Sequence, residues 1–97
     1  MFVYILTNKS NSVFYVGTTN NIKRRLYEHQ SEKIEGFTKK YNVTKPVYCE
    51  QIKNPKDAIL REKQLKAWTR QKKAKLIESI NPGWDDLSEM INQNIKE

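Results

Sequence analysis

Two tyrosines stand eleven positions apart near the start of the chain, Tyr4 in "FVYILT" and Tyr15 in "VFYVG". Each occupies a strand-like position that valine could fill if packing were its only task. Further along, Arg25 and His29 are one helical turn apart, and Glu62 lies in a segment otherwise dominated by cations. An arginine turned toward two phenols makes a site for a phosphate group. A carboxylate set among apolar helix positions needs a compensating charge, and a divalent cation supplies one. Each residue also has a plainer role. Tyrosines form strands and pair across them, a histidine at the edge of an apolar stripe often only packs or hydrogen-bonds, and an arginine there can snorkel past the core. Glu62 can pair with Lys66 at i, i+4 for about a few tenths of a kcal/mol.

The elements that must position these groups can be read from periodicity. Residues 2–7 and 13–17 alternate with the period of a strand, and "NKSNS" between them is turn-forming, which predicts a β-hairpin. With Val3, Ile5, Phe14 and Val16 toward the core, Tyr4, Tyr15 and Gly17 share the opposite, non-core face. Glycine inside a strand signals that some group approaches the backbone closely there. "TTNN" offers caps for a helix over about 20–33. On that helix Ile22 and Leu26 set the apolar stripe, Arg25 and His29 fall on its edge, and Arg24 points away. Residues 34–44 read as a loop and "KPVYCEQI", 45–52, as a third strand. Asn54 and Pro55 start a second helix, about 55–71, whose inward stripe of Ala58, Leu65 and Trp68 leaves Glu62 at least half buried. Residues 72–80 continue or restart that helix, "NPG" stops it, and a short helix follows over about 84–95. The expected fold is an α/β (α+β) domain, a small, mainly antiparallel three-stranded sheet flanked by helices, over residues 1–97 with its core in about 1–83.

Composition limits the function. Ninety-seven residues, 37% of them apolar, suit one modest core. The single cysteine, Cys49, rules out an internal disulfide framework or a thiolate zinc cluster and fits a reducing cytoplasm. No segment has the ~20 apolar residues of a membrane span, and the apolar run "FVYIL" at the start is too short for a signal-peptide core and has no basic region before it. Eighteen basic residues against eleven acidic ones give a net charge of +7, which favours polyanionic partners. The charge is uneven: seven cations and one acid lie between Arg61 and Lys75, whereas the last 22 residues carry five acids and one lysine. Such a run is either a solvated helix face or a nucleic-acid surface.

These residues together resemble the GIY-YIG nuclease superfamily. "FVY" and "YVG" are similar to the two halves of its signature, and Arg25, eight positions after Gly17, stands where that family has its arginine. His29 matches a histidine common in the family, and Glu62 in "LREKQLKAW" matches its helix glutamate. "GFTKKYNVTKPVY", "AILREKQLKAW" and "INPGW" resemble its small stand-alone bacterial members over nearly the whole chain. Phe2 and Val3 replace the first motif's Gly and Ile, so of that motif only the tyrosine is kept, and Asn81 stands near the place of the family's late asparagine. The resemblance implies five catalytic residues. Glu62 would hold one Mg²⁺ or Mn²⁺, Arg25 would clamp the scissile phosphate, and Tyr4 would activate or position water. Tyr15 and His29 would support proton transfer and orientation. Lys39, Lys40, Lys63, Lys66, Arg70, Lys72 and Lys73 would follow the nucleic-acid backbone, with binding that weakens steeply with salt.

The expectation is therefore a cytoplasmic, divalent-metal-dependent DNA endonuclease. It should select by the shape of the nucleic acid, since nothing in the sequence resembles a base-reading element. The alternative is a nucleic-acid-binding module of the same fold with weak or no cleavage. A purely structural or protein-binding domain would leave Glu62 and the paired tyrosines unexplained.

Overall fold

The computed structural model describes residues 1–31 and 37–94. The elements are β1 (Phe2–Thr7), β2 (Phe14–Thr19), α1 (Ile22–Gln30), α2 (Phe37–Lys40), β3 (Lys45–Gln51), α3 (Pro55–Ala67), α4 (Arg70–Ile80) and α5 (Ser88–Asn94). The sheet has the order β2-β1-β3, and both pairings are antiparallel, as the sequence led us to expect. The β1–β3 register slips between Ile5 and Leu6, next to Pro46, which has no N–H to give to the ladder. Among the described residues, no helix is long and apolar enough to cross a membrane.

The expectation that one face of the hairpin is a non-core side is corrected. All six β1 residues are buried. Val3 and Ile5 pack with Val16, Val47, Ala58, Leu65 and Ile77, which puts α3 and α4 on one face. Phe2, Tyr4 and Leu6 pack with Ile22, Leu26, Val43 and Ile91, which puts α1 and α5 on the other. A central strand covered on both faces reads as a continuous apolar run, and "FVYIL" is one.

Several boundaries also move. The second helix stops at Ala67, short of residue 71, because Trp68 turns extended (ψ 151°) and Thr69 caps α4 by accepting a hydrogen bond from the Lys72 N–H. The basic run is thus split over two helices. Within the expected 34–44 loop, Phe37–Lys40 forms a helical turn, while 34–36 lie outside the described residues. The same holds for the expected continuation of α1 over 32–33. The terminal helix starts at Ser88, later than expected, and Trp84, with φ 55°, stands outside the right-handed helical region. Asn81 holds that turn. Its Nδ2 donates to the carbonyls of Val47 (3.0 Å) and Asp85 (2.9 Å), and its Oδ1 accepts from the Asp85 N–H (3.0 Å). The late asparagine is therefore fully engaged in joining the end of α4 to β3.

Candidate active site

The site begins on the sheet. Tyr4 and Gly17 face each other across the β1–β2 ladder. The Tyr4 phenol lies so closely over Gly17 that a Cβ there would sit 2.5 Å from the Tyr4 hydroxyl and 3.1 Å from the Tyr15 ring. The group that needs the glycine is thus the neighbouring tyrosine itself. The Tyr4 and Tyr15 ring centroids are 6.3 Å apart, and the His29 imidazole stands edge-on to both, at 5.8 Å and 5.4 Å.

Helix α1 brings in the nitrogen groups. Asn21 caps it with an extended backbone and accepts from the Arg24 N–H at 3.0 Å. This sets the helical phase so that Ile22, Leu26 and His29 point inward while Arg24 is exposed. His29 is more deeply placed than the edge of a stripe, only 2% exposed, with Nε2 3.1 Å from the Tyr4 hydroxyl. Arg25 Nε donates to the same hydroxyl at 3.4 Å, and its Nη1 lies 3.6 Å from the Glu28 carboxylate. The Tyr15 phenol also interacts with this guanidinium.

Burial governs the proton affinities here. It pushes the Tyr4 phenol up to about 12, and the hydrogen bond from Arg25 opposes that rise without overcoming it. Burial, aided by the charge of Arg25 and opposed by Glu28, lowers His29 to about 4, so the imidazole is neutral at pH 7. A measurable consequence follows for stability. The unfolded chain takes up a proton at His29 from about pH 6.5 downward, whereas the folded chain does so only near 4. The fold should accordingly lose up to about 3 kcal/mol as the pH falls through that window. Urea unfolding at pH 7 and pH 4.5 should show this loss in the wild type and a smaller one in His29→Gln; equal losses in both would refute it.

Glu62 reaches the same region from the other layer. Thr18, next to Gly17, shares the face of Val3 and donates to Glu62 Oε1 at 3.3 Å, while Lys66 Nζ lies 2.9 Å from Oε2. The glutamate side chain is 20% exposed. Both sequence readings of Glu62 are thus present at once, a half-buried carboxylate and an i, i+4 partner of Lys66. Its charge is felt at Tyr4 as the smallest of five influences. The structure brings Tyr4, Tyr15, Arg25 and His29 into one cluster and sets Glu62 at the sheet edge beside it. Among the described residues no three His, Cys, Asp or Glu side chains gather as a ready-made metal cage. One carboxylate beside a hydroxyl fits a hard ion such as Mg²⁺ or Mn²⁺, which keeps several waters and completes its shell with phosphate oxygens.

The predicted backbone-following cations are mostly exposed, Lys73 less so. They are not all equally available. Arg70 donates to the Asn11 carbonyl at 2.8 Å and lies 4.5 Å over the Phe14 ring, where it fastens the hairpin turn to α4. Lys72 sits 4.6 Å over Trp68, Lys40 5.4 Å over Tyr41, and Lys66 is paired with Glu62. Lys39 and Lys63 are exposed on α2 and α3. Arg61, counted in the same run, turns inward: its Nε lies 3.2 Å from both Glu50 oxygens, and Glu50 accepts from the Tyr48 hydroxyl at 2.5 Å. Sequence reasoning missed Thr18, Glu28 and the Glu50–Arg61 pair. The first could have been found from its position beside Gly17, and Glu28 from its i, i+3 spacing to Arg25; no local signal marks the pair.

These features define a small α+β domain whose candidate site is built on a sheet and two helices rather than on loops. The chain belongs to the GIY-YIG family, and the model of the GIY-YIG catalytic domain matches residues 1–75. It is 37% identical over 78 residues to a UPF0213 protein of Limosilactobacillus reuteri, covering 78% of this chain and 80% of that one. A UPF0213 protein of Clostridium perfringens is 34% identical over 91 residues, 94% of this chain and 97% of that one. The solution NMR structure of a UPF0213 protein from Bacillus halodurans superposes with a TM-score of 0.56 at 24% identity, covering 98% of this chain and 97% of that one, a likeness of fold.

Proposed function

We propose that this chain is a divalent-metal-dependent DNA endonuclease that hydrolyses phosphodiester bonds and selects by DNA shape, with residues 1–97 acting as one domain in the cytoplasm. One observation carries the reading: the Tyr4 hydroxyl is held between Arg25 Nε and His29 Nε2 within the electrostatic reach of Glu62. Family membership supports it, as does the net charge of +7, which suits a polyanionic substrate. Glu62 would hold the ion, and Mg²⁺ or Mn²⁺ bound there supplies charge stabilisation at the phosphoryl oxygens. Arg25 is 36% exposed at its side chain, so its outer nitrogens can meet a phosphate while Nε keeps the phenol in place. Tyr4 orients the attacking water and takes its proton. Tyr15 supports the guanidinium and fixes the Tyr4 ring. Lys39, Lys40, Lys63, Lys66, Arg70, Lys72 and Lys73 follow the backbone.

A second reading, a nucleic-acid-binding module with weak or no cleavage, draws on two features. Burial holds the Tyr4 phenol up at about 12, and both Glu62 oxygens already have partners. Incubating the purified protein with plasmid and with branched DNA, in Mg²⁺, in Mn²⁺ and in chelator, separates the two. Cleavage in either metal and none in chelator is expected. Cleavage that survives the chelator would sink the one-metal reading, and binding without cleavage in every condition would favour the module.

A further inference from the structure

The hydrogen bond between Tyr4 and His29 can run either way, and its direction decides what His29 does. A neutral imidazole carries one N–H. If Nε2 accepted the Tyr4 proton, that N–H would be on Nδ1, which is buried and has no hydrogen-bond partner among the described residues. A buried N–H without a partner costs about 1–3 kcal/mol and is rarer than an unused acceptor. If Nε2 donates, Nδ1 keeps only a lone pair, and the imidazole is in its intrinsically preferred tautomer. Two N–H groups then meet at the Tyr4 oxygen, Nε2 at 3.1 Å and Arg25 Nε at 3.4 Å, an arrangement that is complete once the hydroxyl has given up its own proton.

We propose that His29 is a hydrogen-bond donor to Tyr4 and not a base for it: His29 Nε2–H and Arg25 Nε–H converge on the Tyr4 oxygen and stabilise it as a phenolate. This rests on the reading of Tyr4 as the group that takes the proton of the attacking water. The Tyr4 proton first leaves to solvent. The phenolate then takes one proton from water as the water oxygen bonds to phosphorus and the bond from phosphorus to the leaving oxygen breaks. That oxygen is protonated from solvent, so Tyr4 ends as the phenol it began as. Accepting a proton at Nε2 instead would make an imidazolium with a sealed Nδ1–H. Burial and Arg25 both oppose this, holding His29 down to about 4. The two donors play the part of an oxyanion hole aimed at a side chain of the protein itself. His29 is thus a positioning residue acting through Tyr4.

His29 is the only histidine, so its imidazole signals need no assignment. A long-range proton–nitrogen NMR spectrum of the ¹⁵N-labelled wild type at neutral pH should place Nε2 in the protonated range and Nδ1 in the bare range. The reverse pattern overturns the proposal, and this test reads the same whether or not the protein cuts DNA. Substitution gives the second arm. In His29→Gln an amide N–H₂ takes the place of Nε2–H with no basic nitrogen, and cleavage should stay within about tenfold of wild type. His29→Leu removes the donor and should lose about a hundred- to a thousandfold, the usual effect of deleting one such donor. Equal loss in both folded variants would mean that the basic nitrogen is what matters, which overturns the donor role.

Discussion

Glu62→Gln should lower metal-dependent cleavage by about a thousandfold or more while leaving the fold standing. The amide keeps the size of the side chain and an oxygen for Thr18 but removes the charge that would hold the ion. Losing several kcal/mol of charge stabilisation at the phosphoryl group corresponds to that fall at about 1.4 kcal/mol per decade. The ion pair with Lys66, itself 55% exposed, contributes only about a few tenths of a kcal/mol, so stability without metal should scarcely change. In chelator the variant should bind DNA slightly more tightly, because one negative charge near the phosphate has gone. Thermal melts, binding titrations and single-turnover cleavage check the three statements. A Glu62→Gln protein that cleaves at the wild-type rate would remove Glu62 from the active site.

Arg25→Ala should abolish cutting with little loss of DNA binding, while its neighbour Arg24→Ala weakens binding slightly and leaves the rate per bound complex intact. The two arginines count equally as charges, but only Arg25 is turned toward the phenols. It is hydrogen-bonded to Tyr4 and paired with Glu28. Its removal would take away the proposed phosphate ligand together with one of the contacts that hold the Tyr4 phenol. Each such loss is worth about a hundredfold or more. Arg25→Lys should rescue little, because an ammonium cannot hold the phenol and present a planar fork to phosphate at once. If Arg24→Ala and Arg25→Ala behave alike in single-turnover cleavage at saturating DNA, the distinction fails.

Much of this arrangement was legible because it is periodic. The alternation of two along β1 and β2 put Tyr4, Tyr15 and Gly17 on one face, and the 3.6-residue repeat of α1 separated Arg25 from Arg24. What escaped was non-local. The run "FVYIL" alternates and is also wholly apolar, and only the packing of α1 and α5 shows that the tyrosine face is a second core. Gly17 signalled a close approach, but the sequence could not say that Tyr4 makes it. The basic run looked continuous because charge is counted along the chain. Arg61 finds Glu50 across eleven residues, and the turn at Trp68 and Thr69 redirects the rest. Helix propensity alone does not stop at Ala67; the Trp68 ring packed against the core does.

The central strand has a consequence for how such a site can fail. Tyr4 lies in the middle of β1, hydrogen-bonded on both sides and covered on both faces, so its amide hydrogen should be among the slowest to exchange. Sites carried on loops commonly loosen well before the protein melts. Here the phenol cannot drift from Gly17 while β1 remains paired. In a thermal melt, loss of the Tyr4–Gly17 geometry and loss of the sheet should therefore be a single event.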